Sequence, residues 1–292
     1  MSKFIHSFSE FNTENLLFPV LISVPHAGRE YPQSLLNALR VPSHHLYRLE
    51  DRAVDMLATK AFSIGHSGIL AHRPRAWIDL NRAENEIDIG IIDGLESQDV
   101  PSASAKVRGG LGLIPSRLSG VGDLWKKPFN LSDLKSRIEE DHQPYHQRVS
   151  EVLQNMRNKF GGAILLDLHS MPSLTQIGAD RPAQLVVGDR YGSSAGSRYS
   201  ERAIGIAEQY GIRCGLNHPY AGGYILNRHA CPDRNIHAIQ LEFDRALYLD
   251  DSQKDIGGHA ATMSQLLLDT VTGLSELIIQ SGVYPQFLSA AE

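Results

Sequence analysis

Four polar tetrads in this 292-residue sequence combine residue types that can do hydrolytic chemistry. Pro25-His26-Ala27-Gly28 follows the apolar run of residues 16–24, and Asp167-Leu168-His169-Ser170 grows out of the run at 163–168. Asp79-Leu80-Asn81-Arg82 closes a short stretch around Trp77, and Gln240-Leu241-Glu242-Phe243 lies in a late apolar run. Two histidines and a carboxylate bind zinc and leave a fourth position open for water. A further glutamate can take a proton from that water. An Asn-Arg pair can hold a carboxylate through planar, bidentate hydrogen bonds. Each tetrad alone has a plainer explanation: a structural histidine, a carboxylate capping the next helix, a solvated arginine. Together they form one coherent hydrolytic set, with His26 and His169 as the imidazole ligands. For the acidic ligand Asp51 is preferred over Glu50 and Glu30, because a helix starting there would aim its side chain at a strand end. The competing reading pairs Asp51 with Arg48 or Arg52 on a helix surface.

The elements that must position these residues can be read from hydrophobic periodicity. Strands are expected at 16–24, 68–71, 76–80, 163–168, 185–188 and 238–243, and helices at 46–62, 197–210 and 255–279. Asn130 and Asp133 resemble an N-cap pair opening a helix that runs towards Phe160, with Pro144 kinking or dividing it. Residues 89–125 are rich in Gly, Ser and Pro and read as a long excursion of loops over the active face. Strands alternating with helices imply an α/β fold, a three-layer sandwich around a mixed central sheet, as one domain over residues 1–292. In open α/β sheets ligands bind outside the carboxyl ends of the strands, where the tetrads fall.

Charge and composition narrow the function classes. Lys and Arg number 28 against 33 Asp and Glu, a net charge of -5 with no basic stripe, which argues against a nucleic-acid partner. Cys214 and Cys231 form no CxxC pair, so a thiolate zinc site is excluded and reduced thiols are expected. The first residues lack the pattern of a signal peptide and no run is long enough to span a membrane, so a cytoplasmic protein is expected.

Three further motifs compete. Gly192-Ser193-Ser194-Ala195-Gly196 matches a nucleophile elbow, but Asp189-Arg190-Tyr191 separates it from the preceding apolar run. His142 and His146 have zincin spacing, yet Gln143 stands where the zincin glutamate belongs and Pro144 interrupts the helix. Gly109-Gly110-Leu111-Gly112 lacks the strand and final glycine of a dinucleotide loop.

In order along the chain, SVPHAG, the Glu50-Asp51 pair, DLNR, RGGLGLIP, PYH, DLHS, GGYI and QLEFDRALYLD resemble the N-formylglutamate amidohydrolase family, over about residues 20–250. More distantly the chain is similar to the zinc carboxypeptidases and aspartoacylase. The resemblance implies a phosphorylase/hydrolase-like fold and a Zn²⁺ held by His26, a carboxylate and His169. Where the carboxypeptidases place a glutamate ligand three residues after the first histidine, this chain has Arg29, which turns attention to Asp51. The resemblance further implies Glu242 as general base, Arg75 at the scissile carbonyl, and Asn81 with Arg82 as the grip on a substrate carboxylate. Gly222, Gly223 and Tyr224, with Arg228 and His229, resemble a substrate-facing loop. The expected reaction is hydrolysis of an N-acyl amino acid, N-formyl-L-glutamate first among them. The alternatives are a deacylase or carboxypeptidase-like hydrolase for another N-acyl amino acid, a serine hydrolase using Ser194, and a non-catalytic binder of acidic amino acids.

Overall fold

A computed structural model describes residues 7–96, 98, 101–176 and 181–288. Its strands are β1 (Phe8–Phe11), β2 (Val20–Val24), β3 (Ser67–Ala71), β4 (Ile92–Asp93), β5 (Arg117–Leu118), β6 (Gly122–Asp123), β7 (Phe129–Asn130), β8 (Ala163–Met171), β9 (Leu185–Gly188), β10 (Cys214–Leu216) and β11 (Ile236–Asp244). Its α-helices are α1 (Gln33–Ala38), α2 (Asp55–Ser63), α3 (Ala105–Arg108), α4 (Leu131–Arg137), α5 (Gln143–Phe160), α6 (Ser197–Gln209), α7 (Tyr224–His229) and α8 (Ala260–Leu288). The fold class is α/β, as the sequence implies: seven strands form one sheet in the order β1-β3-β2-β8-β11-β9-β10. The sheet is mixed, with β2 and β11 parallel to β8, and β9 antiparallel to β11. No helix among the described residues is long and apolar enough to cross a membrane.

The chain divides into two compact units. The larger comprises Glu10–Val24, Arg52–Ile69 and Val149 onward, and carries most of the sheet. Its centre is β8 beside β11, each nine residues long and buried throughout. Apolar residues on both faces of such strands exclude water, and burial of each large aliphatic side chain contributes about 1.5–3 kcal/mol. Helix α8 packs against α2 and α6 and reaches β2 and β8. The buried Leu266, Leu267, Val271, Leu274 and Ile278 recur at helical spacing on its inner side.

The smaller unit comprises, among the described residues, 7–9, Pro25–Asp51 and Leu70–Arg148, and is mostly turns and short elements. Two expectations fail here. Residues 76–80 form turns, not a strand: Trp77 N–H bonds the Pro74 carbonyl, and Asp79 uses its own carboxylate to accept from Asn81 N–H at 2.8 Å. This side-chain turn competes with any strand ladder. The helix expected over 46–62 is broken. A 3-10 turn covers Ser43–Arg48, Ala53 adopts φ 56°, and α2 starts only at Asp55. Asp51 therefore lies in the break, where its N–H donates to the His26 carbonyl at 3.0 Å.

A third expectation changes in detail. Asn130 occupies the N-cap position of α4, but its side chain makes no capping bond, and Asp133 instead pairs with Arg137 at 2.6 Å. Between α4 and α5 the helix widens into a π turn over Ile138–His142. Pro144 lacks an N–H and its ring crowds the carbonyl four residues back, and the wide turn accommodates both. The 89–125 excursion holds a 3-10 turn at Ile89–Ile91, β4, α3, β5 and β6. Its residues 97, 99 and 100 lie outside the described ones.

Candidate active site

The register of the larger unit stacks polar residues on one face of the sheet. Ser23, Asp167, Gln240 and Gly188 are cross-strand neighbours in one row, and His169, Glu242 and Val186 form the next. Neighbours in register point to the same side, and residues two apart along a strand share a face. The hydrogen bonds agree with this. Ser23 Oγ donates to Asp167 Oδ1 at 2.8 Å, His169 Nε2 to Asp167 Oδ2 at 2.7 Å, and Gln240 Nε2 to Glu242 Oε1 at 2.9 Å. Glu242 is buried at 9% exposure and in register with His169 on the neighbouring strand.

Gly188 explains how a loop reaches this face. A Cβ there would stand 2.8 Å from the Ala221 carbonyl carbon, so only glycine lets the backbone before Gly222 pass so close. Gly222 itself has φ 106°. Gly223 caps α7, which packs on β11 and β8. Arg190 Nη1 donates to the Gly223 carbonyl at 3.4 Å. Tyr224 accepts from Arg228 at 2.6 Å in an exposed pair, while His229 is buried with its Nδ1 at 3.1 Å from Ser150 Oγ.

In the smaller unit Asp79 is the hub. It is fully buried and takes His26 Nε2 on Oδ1 at 2.8 Å and Arg75 Nε on Oδ2 at 2.8 Å, with Arg82 Nε at 3.9 Å. Burial alone would push its carboxyl up. Arg75, His26 and Arg82 together outweigh burial and hold it well below the usual carboxylate range. Arg82 is buried, with Nε on the Leu111 carbonyl at 2.8 Å and Nη1 on the Asn81 carbonyl at 2.9 Å. The zincin-spaced histidines hold this same turn. His142 Nε2 donates to the Arg82 carbonyl at 2.9 Å, and His146 Nε2 to the Leu80 carbonyl at 3.0 Å.

One ligand atom each from His26, Asp51 and His169 lie within 4.8 Å of one another, and all three residues are buried. Of the three candidate carboxylates, Asp51 is the one in this group. Glu50 is buried and accepts the Tyr31 hydroxyl, and Glu30 is exposed near His72 and Arg73. The donor set fits a divalent cation. Each imidazole gives Nε2 to a carboxylate, Asp79 for His26 and Asp167 for His169. Such carboxylate–histidine pairs fix the ring of a metal ligand and raise its basicity. His26 Nδ1 and Asp51 Oδ2 are 3.5 Å apart, too long for a good hydrogen bond. That spacing is close to the edge of about 3.3–3.4 Å in a tetrahedron with 2.0–2.1 Å arms.

The family model for N-formylglutamate amidohydrolase matches residues 18–249. The chain belongs to this family. It is 28% identical over 239 residues to the N-formylglutamate deformylase of Pseudomonas putida, a match covering 80% of this chain and 83% of the relative. It is 27% identical over 244 residues to the protein of the same description from Pseudomonas aeruginosa. Among solved structures it resembles the N-formylglutamate amidohydrolase of Ralstonia eutropha JMP134, with a TM-score of 0.82 and 25% identity over 96% of this chain and 98% of that one.

Reading the sequence passed over two residues that orient the site, Asp79 and Asp167. Both open a tetrad that the sequence displays. In DLHS the Asp-x-His spacing on a strand was itself the signal, since it puts carboxylate and ring on one face. Ser194 shows no elbow geometry: its hydroxyl donates to the Ala238 carbonyl at 2.8 Å and no histidine bonds it among the described residues. Cys214 and Cys231 are free thiols.

Proposed function

We propose that this chain hydrolyses N-formyl-L-glutamate to glutamate and formate at a zinc site made by His26, Asp51 and His169. The observation that carries the reading is the approach of those three ligand atoms to within 4.8 Å, with Glu242 in register with His169. A divalent cation there would supply Lewis acidity toward a water and toward the acyl oxygen.

The chain's own residues do the rest. Glu242 takes a proton from the attacking water and delivers it to the amine nitrogen as the amide bond breaks. Gln240 Nε2 donates to one oxygen of that carboxylate and so orients it. Arg75, anchored by Asp79, offers a cation to the acyl oxygen as negative charge develops there. Arg82 and Asn81 hold a carboxylate of the amino acid. The expected substrate-facing loop is largely helix α7: Gly223 at its N-cap, Tyr224 and Arg228 within it and the buried His229 at its end flank the substrate in this reading, a role that rests on family likeness.

The test is elemental analysis of the purified protein beside an assay of glutamate and formate release from N-formyl-L-glutamate. Zinc at about one equivalent and turnover lost on chelation and regained with zinc are expected. Full turnover by metal-free protein would reject the scheme.

A further inference from the structure

The loop-rich excursion has no part in the reading above, yet one segment of it is fastened to the Asp79–Arg82 turn. Leu113 accepts from Asp79 N–H at 2.7 Å and donates to the Glu86 carbonyl at 2.7 Å. Ser104 Oγ donates to Glu86 Oε1 at 3.3 Å. Leu111 links the Arg82 guanidinium to the main chain of Lys106: its carbonyl accepts Arg82 Nε at 2.8 Å, and its N–H donates to the Lys106 main-chain carbonyl at 2.8 Å. Val107 is buried and its N–H is capped by Ser104 Oγ, so α3 is pinned with Lys106 beside the anchor.

The charges here do not balance. The Lys106 side chain makes no hydrogen bond or ion pair among the described residues, and it is exposed. Arg82 spends Nε and Nη1 on carbonyl oxygens, and its Nη2 has no hydrogen-bond partner among the described residues. Partial enclosure, then repulsion from Arg82 and Arg75, lowers the Lys106 pKa against the pull of Asp79 and Glu86. Lys106 thus shares its electrostatic surroundings with Arg82 and Arg75 against Asp79 and Glu86, and Arg75 already occupies Asp79. Lysine and arginine brought together without a matching acid make a receptor for an anion.

We propose that Lys106 is a specificity-determining residue, whose ammonium takes the side-chain carboxylate of an acidic N-acyl amino acid while Arg82 and Asn81 hold the other carboxylate. The inference rests on the hydrolytic reading above and deepens it. A substrate with a neutral side chain leaves the surplus charge beside Arg82 uncompensated. A dicarboxylate neutralises it.

The experiment compares N-formyl-L-glutamate with N-formyl-L-glutamine, which has the same shape without the charge, in zinc-loaded wild type, Lys106→Met and Lys106→Arg. In Lys106→Met the ratio of kcat/KM for the two substrates is expected to fall about 10- to 100-fold, mainly through KM for the acidic one. Lys106→Arg should hold the ratio within about 3-fold, since the charge is kept. Calorimetric binding of glutamate and glutamine gives the same comparison without turnover: Lys106→Met should lose the preference for glutamate. An unchanged preference in both measurements overturns the proposal. If the wild type turns over neither substrate yet binds glutamate in preference to glutamine, and Lys106→Met abolishes that preference, the hydrolytic reading alone is sunk.

Discussion

Asp167 and His169 stand two residues apart on β8, and Oδ2 of the first accepts from Nε2 of the second at 2.7 Å. The strand therefore presents the ring with one nitrogen already engaged and its rotation fixed. Ser23 on β2 anchors the same carboxylate from the next strand. Asp167→Asn should lower zinc affinity about 10- to 100-fold, as removal of such an orienting partner does. Competition with a chromophoric chelator reads this, and unaltered affinity would remove Asp167 from the site's support.

Glu242 is expected to act on protons and not on the metal. Glu242→Gln should keep the zinc content and lower kcat about 10²–10⁴-fold. Steady-state kinetics with metal analysis on the same sample checks both halves. A variant that loses its zinc would instead make Glu242 a ligand.

Stripping the metal should destabilise the fold as well as stop turnover. A ligand that binds only the native state adds stability in proportion to the logarithm of its excess over Kd, about 2.7 kcal/mol at a hundredfold excess. Thermal melts with and without chelator should differ by several degrees. Coincident melts would mean that no metal is held.

Gly188→Ala puts a methyl group into the Ala221 backbone. Overpacking of this kind costs about 1–3 kcal/mol. The Gly222–Gly223 loop must shift to relieve it, so KM for N-formyl-L-glutamate should rise with little change in zinc content. A variant with normal KM would place the loop outside substrate binding.

His66 lies outside the site and gives the fold an acid-sensitive point. It is buried against Phe18, with ring centroids 4.1 Å apart, and neither ring nitrogen has a hydrogen-bond partner among the described residues. Burial pushes its pKa down to about 4 from 6.5. The folded state therefore resists a proton that the unfolded chain accepts. Stability is fully present above about pH 6.5 and drains away between there and about pH 4. His66→Phe should remove about 1–2 kcal/mol of this acid loss at pH 5, read as denaturant midpoints at pH 5 and pH 8. Equal pH dependence in wild type and variant would count against it.

Much of the fold was legible because its signals are local. The unbroken apolar runs around Asp167 and Glu242 could only be buried strands, and the periodicity of 197–210 could only be α6. The same runs located His169 and Glu242. Residues 76–80 misled because their conformation is set by the Asp79 carboxylate and by a bond to Leu113, a contact far along the chain. Asp51 was expected on a helix, but it stands in a break, fixed by the His26 carbonyl. His142 and His146 grip backbone carbonyls, a role with no sequence signature. Lys106 was invisible because the convergence of charges depends on which loops are stitched together.

The widened turn at Ile138–His142 has a geometric consequence. Arg137 donates to the Trp77 carbonyl at 3.0 Å, and His142 and His146 hold those of Arg82 and Leu80. In an unbroken α-helix, positions 137 and 142 would point about 140° apart. Bonding from residue i to i+5 makes five residues close to one revolution, which swings both onto the same side. Three prongs of a single rod thus clasp one short peptide stretch. Deleting any one residue from the bulge would unscrew that clasp by roughly 100° while leaving every side chain chemically intact.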